Sequence, residues 1–249
     1  MITSLQNPRV KLVRALQDRA RTRRKEGKMV LEGVRLVHDA LAQGHRPDFL
    51  LYTPDAEAAL PDTSAHSELV SAEIMRYMSD TQQPQGIIGV FPLPEIALPR
   101  PPQRVLILDT VRDPGNLGTI LRAAAAAGVQ VVLLSPDCVD AYNPKVLRGG
   151  MGAHFRIAIA SPDWPQITDY CTALAVYLAD SAGDVRYDQV DWASDWALIV
   201  GGEAHGAGAQ AAMLAHQRLY IPMSAATESL NAAMAASVIL FEAQRQRLK

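Results

Sequence analysis

Apolar positions recur every three or four residues in some stretches of this chain and run unbroken in others. "NPRVKLVRALQDRARTRRKEG" puts Val10, Val13 and Leu16 on one face and most of its arginines elsewhere, which predicts one helix over 7–27. Asn7 is placed to cap it, Pro8 suits its first turn and Gly27 its end. "KMVLE" predicts a short strand, "VRLVHDALAQG" a helix closed by Gly44, "DFLLY" a strand, "AEIMRYMSD" a helix and "GIIGVF" a strand. Together they form an α/β unit of about ninety residues, within the usual size of a domain.

"PLPEIALPRPP" follows, with five prolines between 92 and 102. Proline at that density cannot sit in helix interiors or central strands, so it reads as a stiff linker. Beyond it the pattern becomes strand–helix alternation. "RVLILD" is unbroken, as expected of a strand covered on both faces. A helix over 117–127 and the strands "QVVLLS", "HFRIAI", "AVYLAD", "WALIVGG" and "RLYIPM" follow, then a long helix over about 229–247. This order predicts an α/β fold with a mainly parallel sheet and a ligand site beyond the carboxyl ends of its strands. The division is 1–95, a linker at 96–103, and 104–249.

Charge adds one feature. The net charge is −2, yet residues 1–28 hold nine Lys or Arg against Asp18 and Glu26, a local +7 against −9 for the rest. A basic lobe on an acidic body fits an anionic partner at one end, or a solvated helix face. Arg9, Lys11, Arg21, Arg23, Arg24 and Lys25 are the candidate phosphate contacts. No apolar run approaches the roughly 20 residues that span a bilayer, and "MITSLQNPRV" lacks the apolar core of a signal peptide. Cys138 and Cys171 have neither metal-type spacing nor the number for a disulfide framework. The expectation is a cytoplasmic protein without a membrane segment or a metal.

Three polar loops follow predicted strands. In "LDTVRDPGNLGTILRAA" the turn at Pro114, Gly115 and Gly118 leads to Asn116, placed as a helix cap or as a site residue. Arg122 sits on what reads as a buried alanine helix, where a lone cation needs a partner. Either Glu203 pairs with it or it has a chemical role. "LIVGGEAHGAG" carries Gly201, Gly202, Gly206 and Gly208 around Glu203. Glycines there admit close backbone approach to a ligand, but neither a P-loop nor a dinucleotide fingerprint is present. His205 belongs to no catalytic or metal set. In "IPMSAATESLNAAMAASVILFEAQRQ", Thr227, Ser229 and Asn231 all suit caps, and the small residues after them permit close approach by a helix or a second subunit.

In order and spacing the three loops resemble the SpoU (TrmH-like) branch of the SPOUT RNA 2′-O-ribose methyltransferases. They carry D-P-x-N-x-G-x-x-x-R, G-x-E-x-x-G after a strand, and I-P-M…S-L-N with a late Glu242. "KVLRGGMGAHFRI" is similar to the family's intermediate element. "TSLQNPRVK…KMVLEGVRLVHDAL" resembles a small RNA-binding domain that many members carry. Gly202, Gly208 and Gly150 depart from the residues common there. The resemblance implies S-adenosylmethionine as donor, held near Gly201, Gly206, Ile221, Met223 and Leu230. It implies catalytic roles for Arg122, Asn116, Glu203, Ser229 and Asn231, a carboxyl-terminal trefoil knot, and a homodimer acting on RNA, with ribosomal RNA favoured over transfer RNA. A base-methylating SPOUT relative and an RNA-binding relative without turnover are the alternatives.

Overall fold

The computed structural model describes residues 1–203, 206–224 and 229–248. They form two compact units, one of Met1–Glu95 with Tyr142–Phe155 and one of Ile96–Ala141 with Arg156–Lys249.

In the first unit the basic stretch is two helices, α1 (Pro8–Asp18) and α2 (Ala20–Glu26). This corrects the expected single helix. Arg19 between them is extended, with φ −131° and ψ 112°. The break frees carbonyls at the end of α1, and the Arg23 guanidinium donates to Leu16 O and Gln17 O from a position only 3% exposed. Asn7 caps α1 by accepting from Arg9 N at 2.9 Å, and Gly27 ends α2 at φ +61°.

The chain continues through β1 (Lys28–Glu32), α3 (Val34–Ala42), β2 (Phe49–Tyr52), a 3-10 turn (Pro54–Ala59), β3 (His66–Leu69), α4 (Ala72–Met78) and β4 (Ile87–Pro92). The sheet order is β1-β4-β2-β3, antiparallel except for the parallel β2–β3 pair. Side chains divide by the strand period of two. Val30, Leu51 and Val90 pack with Val10, Val13, Leu16 and Ile74 on one face, while Met29, Leu31, Leu50 and Phe91 pack with Leu36 and Val37 on the other.

The second part of the chain contains β5 (Arg104–Asp109), α5 (Pro114–Ala126), β6 (Val131–Leu134), α6 (Pro144–Gly150), β7 (Ala158–Ala160), α7 (Trp164–Cys171), β8 (Ala175–Ala179), β9 (Val185–Arg186), β10 (Trp196–Gly201), α8 (Ala209–Leu214), β11 (Gln217–Tyr220) and α9 (Ala232–Arg247). Its seven strands lie in the order β7-β6-β5-β10-β8-β11-β9, and every neighbouring pair is parallel. β6 and β7 lie on one side of β5, and β10 and its followers lie on the other. The reversal therefore falls between β5 and β10, where such sheets open a crevice at their carboxyl ends. The register pairs Gly201 with Asp109, so the loops leaving these strands start side by side.

Two boundaries differ from the sequence reading. Residues 142–155 cluster with the first unit although the sequence groups them with the second, because Leu147 and Phe155 are buried in the core containing Leu36 and Phe91. Arg148 reinforces this by pairing with Asp80 at 2.7 Å. The expected strand over "HFRIAI" is a 3-10 turn at Ala153–Phe155 followed by the three-residue β7.

Candidate active site

The site is built where the β5 and β10 loops meet the start of α9. After β5, Asp113 rather than Asn116 caps α5, accepting from Asn116 N at 2.8 Å. Pro114 is the first helical residue, so α5 begins three positions earlier than the sequence reading places it. Asn116 is thereby relieved of capping, and its side-chain amide turns to the neighbouring loops. Nδ2 donates to Glu203 Oε1 at 2.7 Å, and Oδ1 accepts from Asn231 Nδ2 at 3.0 Å. Asn231 Oδ1 in turn caps α9, accepting from Ala233 N at 2.9 Å and Met234 N at 3.3 Å.

This chain of bonds has one direction. A carboxylate only accepts, which fixes the nitrogen end of Asn116 on Glu203. The oxygen end of Asn116 then requires a donor, and Asn231 supplies one because its own oxygen is committed to helix N–H groups. Three segments distant in sequence are thus locked in one orientation.

Beside this network lies a cavity of about 610 Å3. The residues named for the donor (Gly201, Gly206, Ile221, Met223 and Leu230) all line it, as do Glu203, Ser229 and Asn231. Backbone forms much of the β10 side. A Cβ on Gly201 would lie 2.3 Å from Ala207 N and from Gly206 C, and one on Gly202 would lie 2.4 Å from Thr110 O. Only glycine permits that approach. Ser229 is exposed just ahead of α9, which starts at Ala232 and not at 229. Sequence reasoning missed Asp180, Ser181 and Arg218, which line the cavity from β8 and β11. The signal was available in "AVYLAD", an apolar run ending on a carboxylate where such a sheet presents ligand contacts.

Arg122 is exposed and shares the solvent stripe of α5 with Thr119 and Ala126. The buried face carries Leu117, Ile120, Leu121 and Ala124, so the alanine helix is two-sided, not buried all round. The suggested ion pair with Glu203 does not form. Glu203 is taken by Asn116, and among the described residues no acidic group pairs with Arg122. α9 packs directly against α5, so α5 is the helix that the alanines of "NAAMAAS" admit.

The basic residues of the first unit divide. Lys11, Arg21, Arg24 and Lys25 are exposed. Arg9 is half-buried, ion-paired with Glu68 and stacked 5.3 Å over the Phe49 ring. Arg23 is a correction: it is buried on the α1 carbonyls and cannot reach a phosphate. Burial pushes the Cys138 thiol up and the Cys171 thiol to about 12, so neither is poised as a thiolate. His205 and Thr227 lie outside the described residues. Among the described residues no cluster of His, Cys, Asp or Glu is arranged to hold a metal, and no helix is long and apolar enough to cross a membrane.

Comparison with known proteins gives this geometry a family. A model of the SpoU rRNA Methylase family matches residues 103–241, and a model of the MRM3-like substrate binding domain matches residues 7–89. The mouse (Mus musculus) protein "rRNA methyltransferase 3, mitochondrial" is 37% identical over 287 residues, covering 90% of this chain and 69% of its own length. The Bacillus subtilis (strain 168) protein "23S rRNA (guanosine(2553)-2'-O)-methyltransferase RlmP" is 34% identical, covering 96% of this chain and 97% of its own. The AdoMet-bound crystal structure of an rRNA methyltransferase from Sinorhizobium meliloti superposes with TM-score 0.87 at 32% identity, over 100% of this chain and 98% of that one. The SpoU methyltransferase AviRb from Streptomyces viridochromogenes, in complex with AdoMet, superposes with TM-score 0.88 at 26% identity, over 98% and 99%.

The parallel sheet, its reversal and the three joined loops define an RNA methyltransferase of the SPOUT type. More narrowly, the chain belongs to the SpoU rRNA methylase family. It is an S-adenosylmethionine-dependent enzyme that methylates the ribose 2′-hydroxyl of RNA, with ribosomal RNA as the substrate class. The cavity fits that donor, since about 610 Å3 is in the range of small-molecule sites and its lining combines apolar Ile221, Met223 and Leu230 with polar Glu203, Ser229 and Asn231.

Proposed function

We propose that the enzyme works as a homodimer in the cytoplasm, that its first unit grips ribosomal RNA, and that the ribose to be methylated is presented at the joined loops of the second. The one-directional bond chain Glu203–Asn116–Asn231, two of whose members line a donor-sized cavity, carries this reading. When bound, S-adenosylmethionine supplies an electrophilic methyl group on a positively charged sulfur. Gly201, Gly206, Ile221, Met223 and Leu230 would hold it.

The residues of the chain must then orient the ribose oxygen and offset negative charge as its weakly acidic proton leaves. Orientation alone contributes several kcal/mol in such reactions, roughly 7 or more in well-aligned cases. Arg122, free of an ion pair and exposed, is suited to the second task. A guanidinium carries its charge permanently in proteins, so it stabilises developing alkoxide and leaves proton acceptance to another group. Asn116, Glu203 and Asn231 keep the surrounding loops in register, and Ser229 offers a hydroxyl beside them.

Exposed Lys11, Arg21, Arg24 and Lys25 give the first unit its phosphate contacts, a salt-dependent form of binding. The dimer is supported by α9, which turns Met234, Val238 and Phe241 to solvent at 59%, 38% and 48% exposure. These positions are four and three residues apart and form one apolar stripe.

The test has two parts. Calorimetry should detect the donor binding to wild-type protein. Alkali-resistance mapping of ribosomal RNA, with and without the enzyme, should reveal a protected linkage. Loss of methylation on a base, with no protected linkage, would favour the base-methylating alternative.

A further inference from the structure

Asp109 ends β5 with a carboxylate only 2% exposed. A carboxylate is kept in such a place only where hydrogen bonds replace its lost water. Two do so. Ser135, at the end of β6, donates from Oγ to Oδ1 at 2.8 Å, and the backbone N–H of Gly208 donates to Oδ2 at 2.7 Å. No cation pairs with it among the described residues.

The second bond reaches across 99 positions of sequence. Gly208 closes the loop that leaves β10 at Gly201, and Gly201 is itself the register partner of Asp109. Both ends of that loop are therefore referred to one residue: the start through the strand ladder, the end through the carboxylate. Between them, Gly201, Gly206 and Ala207 wall the cavity. Ser135 prevents the carboxylate from swinging, and is itself fixed because its Oγ accepts from Thr110 N at 3.2 Å and its N–H donates to Leu108 O at 2.9 Å. Gly208 has no side chain with which to cap α8, so the loop end has no cap of its own and depends on this bond.

We propose that Asp109 is a positioning residue for the donor cavity: held by Ser135, it staples the Gly208 amide and so sets the spacing of the loop that walls the site. This rests on the reading of that cavity as the donor site. Asp109 touches neither donor nor RNA and acts only through the loop.

The test compares wild type, Asp109→Ala and Asp109→Asn by donor calorimetry, RNA binding, thermal unfolding and hydrogen exchange at the Gly208 amide in ligand-free protein. Removing a hydrogen bond to a charged group should weaken donor binding by about tenfold or more in the alanine variant. RNA affinity should stay as in wild type, and exchange should accelerate at Gly208 but not in the β5 and β10 strands. Asparagine can accept from Gly208 N with its oxygen while its nitrogen donates to Ser135 Oγ, whose proton can turn to Pro136 O, 3.1 Å away. It should therefore restore donor affinity and local protection.

Wild-type protein that fails to bind the donor overturns the reading of the cavity. Wild-type binding, with unchanged donor affinity in a folded Asp109→Ala, overturns the staple alone. Equal loss in both variants, with faster exchange throughout the sheet, also overturns it in favour of a general stabilising role. Should the alanine variant not fold, Ser135→Ala takes its place: weaker donor binding with unchanged RNA affinity supports the staple, and unchanged donor binding overturns it.

Discussion

Asn231 donates a hydrogen bond to Asn116 at 3.0 Å across 115 positions of sequence, and Asn116 passes the constraint on to Glu203. Asn116 is spared capping duty because Asp113 performs it. Asn116→Ala should therefore leave the thermal midpoint nearly unchanged while lowering turnover at saturating donor by about 100-fold, the scale of a lost preorganised polar group. Asn116→Asp should be worse, since it sets two carboxylates against each other and one must hold a proton. Asn231→Ala removes a helix cap as well, and should cost about 1 kcal/mol of stability besides its loss of rate. Single-turnover methylation paired with thermal unfolding separates the two effects.

The role proposed for Arg122 separates chemistry from stability. It is exposed on the α5 stripe with no acidic partner among the described residues. Arg122→Ala and Arg122→Lys should unfold like wild type and bind the donor normally, yet lose methylation by about 100-fold or more, lysine lacking the planar fork. Near-normal turnover in both would remove Arg122 from the mechanism.

These residues also show what a sequence can carry. "RVLILD" announces β5 because a strand covered on both faces has no polar positions to interrupt it. One neighbour of β5 is β10, whose register partners such as Gly201 and Asp109 are 92 positions apart, and nothing periodic encodes that pairing. Nor does periodicity encode the knot that family resemblance implies. The break at Arg19 is invisible in a run of helix-forming residues, because the buried contact of Arg23 with the α1 carbonyls decides it. Leu147 and Phe155 look apolar in sequence without saying which core receives them. β3, "HSEL", is a polar edge strand without alternation. The α7 helix is absent from the expected elements although it carries a signal: Asp163 and Gln166 form a capping box, three residues apart, ahead of an apolar turn. Asn116, Glu203 and Asn231 stand out in the sequence as polar residues of three separate loops, whereas the hydrogen bonds that join them, and the direction of those bonds, do not.

Arg23 and Arg24 are adjacent yet should behave as opposites. Arg23→Ala leaves buried carbonyls without donors and should cost about 1–3 kcal/mol of stability. Arg24→Ala, at an exposed position, should leave stability alone and weaken RNA binding. The loss should shrink as salt rises, because the contact works by counterion release. Denaturant unfolding and RNA titrations at two salt concentrations make the comparison.

Cys171 links burial to pH. Its folded-state value is pushed up to about 12 by desolvation, above the ordinary thiol value of 9.0. The folded chain thus favours the neutral thiol. That contribution is whole below about pH 9 and is lost as pH climbs from there towards 12. At pH 8 an alkylating reagent should leave Cys171 unmodified in the folded enzyme and label it in denaturant. Rapid labelling of the folded protein would contradict its burial.

The exposed stripe of α9 sets the last expectation. Met234, Val238 and Phe241 face solvent, while Ala233, Ala236, Leu240 and Ala243 on the other side of the helix are buried. The helix is therefore apolar on two faces, one of them uncovered among the described residues. A charge placed in a protein–protein contact must be desolvated without a partner, which costs several kcal/mol. Placed on a free surface it costs almost nothing. Val238→Asp and Phe241→Asp should therefore convert a dimer to monomers in sedimentation velocity, with little change in the unfolding of the monomer itself. Because Asn231, the cap of α9, closes the bond chain to Glu203, loss of the dimer should also lower methylation. If both variants sediment as the wild type does, α9 is not the interface, and the second subunit, if there is one, sits elsewhere.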